Sequence, residues 1–83
     1  MKKFIKLIID GVEFTTIGFY EKDKKHIFIK TEDPRLFGAF SDLMYERKQI
    51  DQIQFHDLDS YTIFSENYII EKMSNKLIVL KQT

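Results

Sequence analysis

The chain has no cysteine, one proline and three isolated glycines. Without cysteine there are no disulfides, no thiolate metal sites and no cysteine nucleophile. That usage is compatible with a reducing compartment, and the cytoplasm is the expected location. Gly11, Gly18 and Gly38 stand too far apart to form a glycine-rich loop that cradles phosphate. No apolar run approaches the ~20 residues that a membrane-spanning helix needs, so no membrane association is expected. Met1–Ile9 is a short apolar stretch interrupted by Lys6 and followed by no small-residue cleavage site, so it reads as a strand rather than a signal peptide. There is no serine elbow and no Ser/His/Asp order that suggests acyl transfer. The expectation is a protein that is not an enzyme and carries no cofactor.

With 83 residues there is room for one domain, residues 1–83. A chain of this length buries only about 60% of the surface its unfolded form exposes, so every core side chain counts. Hydrophobic residues make up 43% of the chain and aromatics 14%, which is enough for a core and inconsistent with a disordered composition. That many aromatics in so small a domain leaves some rings at the surface, available to a partner.

The net charge is zero but unevenly placed. Residues 1–30 hold seven Lys against four acids, residues 31–71 three basic residues against nine acids, and residues 72–83 three Lys and no acid. If strand pairing gathers the two ends, the molecule has a basic side and an acidic side.

One stretch reads as a regular amphipathic helix, Asp33 to Lys48. Asp33 suits the N-cap because its carboxylate can accept from the free N–H groups of the first turn. Pro34 suits the first helical position, where a missing N–H costs nothing. Leu36, Phe37, Phe40, Leu43 and Met44 fall on one stripe as a core face, with Arg47 on the same azimuth at the end. The opposite side carries Gly38, Asp42 and Tyr45. Gly38 costs about 1 kcal/mol relative to Ala inside a helix. Either another backbone approaches there, or it is a tolerated surface glycine beside a solvent-facing Tyr45, and the second reading is favoured.

The remainder reads as strands. Phe4–Ile9 is apolar on both faces, as in a central strand. Asp10-Gly11 is a two-residue hairpin turn. Val12 to about Tyr20 changes apolar phase from Phe14 to Ile17 and Phe19, which implies a bulge near Thr15-Thr16 or at Gly18. Glu21–Lys25 is a charged turn, and His26–Lys30 completes a three-strand meander. After the helix come Ile50–His56 with Ile53 and Phe55 inward, a turn at residues 57–60, and Tyr61–Phe64. Tyr68–Lys72 follows, its β-branched and aromatic content favouring a strand over a short helix. A break at Ser74-Asn75 precedes Leu77–Leu80. The expected fold is α+β: an antiparallel sheet of a three-strand meander and three or four further short strands, with the helix packed on one face. The later strands can also curl into a second small sheet or a partial barrel.

Candidate sites are few. His56, Asp57 and Asp59, with Asp51 and Glu66 in reserve, look like an oxygen-rich cation loop. The calcium-loop spacing fails at Tyr61, so a solvated turn is the favoured reading and no metal is expected. Asp42 and Glu46 share a helix face that points to water, where a raised carboxyl pKa has no cause. His26 beside a Lys pair reads as a surface residue. The Lys/Ile/Phe-rich usage with few Ala, Gly and Arg is that of an AT-rich genome, and compositionally the chain resembles small bacterial or phage accessory proteins.

The leading expectation is therefore a non-catalytic protein-binding module, of the inhibitor, immunity-type or accessory-regulator kind. Asp51, Asp57, Asp59 and Glu66 form its electrostatic face, Tyr45 and Tyr61 its aromatic anchors, and Gly38 and Asp42 the adjoining helix surface. A homodimer is also expected, because exposed strand edges and surplus aromatics are readily covered by pairing. The first alternative is nucleic-acid binding by sheet aromatics and the N-terminal lysines; two Arg and zero net charge count against it. The second is a nucleotide-type small-ligand protein with its site between sheet and helix.

Overall fold

A computed structural model describes residues 1–83 and shows an α+β fold with seven strands and one helix. The elements are β1 (Lys2–Ile9), β2 (Val12–Asp23), β3 (His26–Thr31), α1 (Pro34–Tyr45), β4 (Ile53–His56), β5 (Tyr61–Phe64), β6 (Tyr68–Ser74) and β7 (Leu77–Gln82). All strand pairings are antiparallel, in the order β5-β4-β1-β2-β3-β7-β6. The two ends of the sheet meet at one place. Ile50 and Tyr68 exchange backbone hydrogen bonds of 2.7 and 2.8 Å, and Tyr68 is also in register with Gln82 of β7. The sheet is thus curled into a partial barrel, with β5 and β6 following one another around the join.

The core fills the inside of the curl. Phe4, Leu7, Ile27, Ile29, Ile53, Ile78 and Leu80 are fully buried there, and the helix adds Leu36 and Phe40. Tyr20 stacks on Phe55 with ring centroids 4.0 Å apart and planes within 8°, and Phe64 meets both rings edge-on. The helix lies nearest β6.

Local chemistry sets the turns. Asp10 and Gly11 both have positive φ (46° and 84°), the geometry that a two-residue hairpin requires. The Asp10 carboxylate also accepts from the backbone N–H groups of Asp51 and Gln52 at 3.0 and 2.8 Å, tying this hairpin to the approach of β4. At the helix start Asp33 caps as expected, its Oδ1 accepting from Arg35 N–H at 2.9 Å. The charged turn between β2 and β3 shortens to Lys24-Lys25, because the ladder continues to the Asp23–His26 pair.

Several boundaries differ from the sequence reading. The helix ends at Tyr45, not Lys48: Arg47 adopts φ 55°, its N–H donates to Met44 O, and Lys48 N–H donates to Leu43 O. These two bonds are the pattern that closes a helix with a left-handed residue, here filled by Arg rather than Gly. Met44 is 41% exposed rather than core: Leu36, Phe40 and Leu43 hold the centre of the stripe against the core, and Met44 lies on its flank. Regular pairing in the fourth strand begins at Ile53, and Ile50 contributes only the bridge to Tyr68. The last turn is Asn75-Lys76, with Lys76 at φ 62°, one residue later than Ser74-Asn75.

The bulge near Thr15–Gly18 exists, with a different consequence. Register slips between the Phe4–Gly18 and Lys6–Thr15 pairs, β2 spending one residue more than β1. Alternation along β2 nevertheless stays intact: Thr16, Gly18 and Tyr20 are buried, while Ile17 and Phe19 are exposed on the outer face. The phase change falls on β1 instead, whose buried positions run Phe4, Leu7, Ile9. That explains why Phe4–Ile9 looked apolar on both faces.

Candidate interaction surface

The acidic residues and exposed tyrosines singled out in the sequence form three groups rather than one face. Asp57, Asp59 and Tyr61 surround the turn between β4 and β5. Asp57 N–H donates to Ser60 O at 2.8 Å, and Leu58 N–H donates to the Asp57 carboxylate. Asp51 and Glu66 lie at the other end of the same hairpin, where the Gln52 side chain donates to Ser65 Oγ. The third group is on the helix. Gly38 and Asp42 are exposed there, Tyr45 is 90% exposed, and no neighbouring atom approaches the place a Cβ on Gly38 would take. The glycine is a surface residue in this chain. None of the six ion pairs of the molecule involves Asp42, Asp51, Asp57, Asp59 or Glu66.

The histidines have structural neighbours. His56 Nε2 lies 2.9 Å from Gln54 Oε1, and its ring stacks on Tyr61 with centroids 5.1 Å apart. His26 pairs with Glu71 at 3.3 Å and stacks on Phe28. No group of three or more His, Asp and Glu side chains is gathered as a metal site would require. No helix is long and apolar enough to cross a membrane.

What the sequence could not display is the state of β5. It has a partner on one side only, β4. In an antiparallel ladder, residues alternate between bonding to the partner strand and turning their backbone groups away. The Asp57–Ser60 bond sets the phase, so Thr62 and Phe64 bond to β4 while Tyr61 and Ile63 present N–H and C=O outward. Their side chains are open as well: Tyr61 is 64% exposed, Ile63 42%, and Leu58 beside them 84%. From Ser60 to Ser65 there is no charge and no proline, the features that usually blunt a sheet edge. The other terminal strand, β6, has the helix packed against it.

A second exposed apolar region lies on the outer face of the sheet. Met1, Ile17 and Phe19 line an open groove of about 660 Å³ with Lys30, Thr31, Glu32 and Lys76. Phe19 is in register with Lys3 on one side and Lys30 on the other. The basic segments are contiguous here, since β1, β2, β3 and β7 are neighbours. The space between sheet and helix, expected to hold any small ligand, is filled by Leu36, Phe40 and their core neighbours.

Two perturbed groups are structural. The Arg35 guanidinium, donating to both carboxylate oxygens of Asp33, holds that carboxyl far below the usual range, with Thr16 assisting. Arg35 also donates to Thr15 O at 3.1 Å, which ties the helix start to the bulge. Burial, and then Glu66, push the Tyr68 phenol up.

No family model, no curated protein and no solved structure matches the chain.

Proposed function

We propose that this is a non-catalytic protein-binding module of the accessory, inhibitor or immunity type, and that its binding surface is the β4–β5 hairpin. The observation that supports this reading is the open β5 edge, which combines unpaired backbone groups with exposed Tyr61, Ile63 and Leu58 and is bordered by acidic side chains in no ion pair. A few side chains, Tyr prominent among them, carry most of the affinity at protein interfaces, and surrounding charges set specificity and association rate. Asp42 and Tyr45 on the helix form a separate, secondary surface in this proposal. The test compares affinity purification by the wild-type chain with that by Tyr61→Ala/Ile63→Ala and Asp57→Lys/Asp59→Lys variants. Loss of a stoichiometric partner from folded variants supports the reading. Retention of every partner by all of them contradicts it.

The outer face supports two further proposals. Met1, Ile17 and Phe19 are apolar side chains that a second copy could cover, and light scattering then returns twice the 10.0 kDa chain mass. The same face fits single-stranded nucleic acid, because Phe19 between Lys3 and Lys30 places a stacking ring beside two phosphate-binding cations. Retention on single-stranded DNA at low salt that is lost in a Lys3→Glu/Lys30→Glu variant supports that reading, and no retention ends it.

A further inference from the structure

The β5 edge also carries information about what occupies it. A strand with free backbone groups is completed by another strand: main-chain hydrogen bonds supply affinity, and alternate side chains supply specificity. Charge distinguishes the possible occupants. The uncharged stretch Ser60–Ser65 is preceded by Asp57 and Asp59 and followed by Glu66. Lys2 and Lys3 share a shallow groove with Asp57, yet neither pairs with it. A second copy fits poorly. Antiparallel self-pairing that joins the outward groups of Tyr61 and Ile63 is centred on Thr62. It brings Asp57 and Asp59 of one copy alongside Glu66 of the other, at both ends, and like charges across a strand pair are destabilising.

We propose that β5 is the docking edge for an extended segment of a different protein, apolar or β-branched at its centre and carrying Lys or Arg at each end. The inference rests on the protein-binding reading and specifies its partner chemistry. From Asp59 to Glu66 an extended chain covers about 23 Å, so a segment of roughly eight residues spans the edge with its cations facing the two acidic ends. On the outer side its alternate side chains meet Tyr61 and Ile63.

The test is selection from a library of random twelve-residue peptides displayed on phage, with the immobilised full chain as bait. Enriched sequences are then synthesised and titrated against wild type and two edge variants. Ile63→Pro removes an N–H that points away from β4, a position where an edge strand accepts proline. Tyr61→Lys/Ile63→Lys places cations on the exposed side of the same strand and provides a second variant should the proline disturb folding; thermal melting establishes that each is folded. The proposal expects basic-flanked, β-prone peptides whose affinity falls by about tenfold or more in both variants, the loss of roughly one well-made hydrogen bond and its neighbours. Affinity also falls with added salt, and falls again in Asp59→Lys/Glu66→Lys. Acidic-flanked or helix-forming winners, or binding that both variants retain, overturn the β5 assignment while leaving protein binding at another surface intact. A dimer of the wild-type chain that Ile63→Pro dissociates overturns the separate partner. Selection that enriches nothing overturns the proposal as well.

Discussion

Gly18 sits directly under the ring of Phe4, so that a Cβ on the glycine would lie 2.5 Å from the Phe4 ring and 2.7 Å from the carbonyl oxygen of Lys30. The first neighbour can swing aside, but the second is backbone held in the β2–β3 ladder. Glycine is required here by close approach, since its φ is not in the left-handed region. Gly18→Ala is expected to destabilise the fold by about 1–3 kcal/mol, the usual cost of overpacking a full core. Chemical denaturation reads it directly, and Gly38→Ala is the control. That exposed helical position has open space around it, so alanine there is expected to stabilise by about 0.5–1 kcal/mol.

Asp33 predicts an acid-sensitive step. Its folded-state pKa is lowered, first by the hydrogen bonds from Arg35 and then by Thr16. A lowered carboxyl pKa contributes stability that is fully present above the unfolded value, near pH 4, and is lost as pH falls below it. Asp33→Asn keeps a good N-cap but loses the charge, so the variant is expected to unfold with a shallower dependence on pH below about pH 4 than wild type. Asp33→Ala also loses the cap, at about 1 kcal/mol at neutral pH. Urea titrations between neutral and acid pH measure both effects.

Tyr68 is fully buried at the join of the sheet, and its hydroxyl has no hydrogen-bond partner. An unsatisfied buried hydroxyl costs about 1–3 kcal/mol, so Tyr68→Phe is expected to leave stability unchanged or raise it by about 1 kcal/mol. Because burial raises the phenol pKa, the folded protein holds this proton longer than the unfolded chain does. Wild-type stability is therefore expected to fall as pH rises above about 10, and the Phe variant is expected to lose that component. Thermal melts across this range test the sign.

The helix start, the Asp10-Gly11 hairpin and most of the strands were readable because each depends on neighbours in sequence. Asp33 caps from two residues away, and the hairpin needs only two residues that tolerate positive φ. The end of the helix was not readable, since Arg47 takes a conformation that its composition does not announce. Ile17 and Phe19 read in sequence as a change of apolar phase along β2, but β2 keeps its alternation through the bulge and holds both on the outer face, while the phase change falls on β1. The candidate surface was legible only in part. Asp57, Asp59 and Tyr61 could be identified as an acidic turn with a ring beside it. The open side of β5 is a property of strand order, and no local pattern in Tyr61–Phe64 records which strand stands beside it.

Free-state hydrogen exchange examines the edge itself. Tyr61 and Ile63 amides are expected to exchange orders of magnitude faster than those of Thr62 and Phe64, because only the latter pair bonds to β4. Equal protection along the strand would mean that the edge is already covered.

That edge is the proposed partner site, and affinity capture from the native host with wild-type and Ile63→Pro chains side by side tests it most directly. The expected result is a stoichiometric protein recovered with wild type and absent from the folded Ile63→Pro variant. The same protein recovered equally with both, and lost instead from a Phe19→Ala or Tyr45→Ala chain, would contradict it.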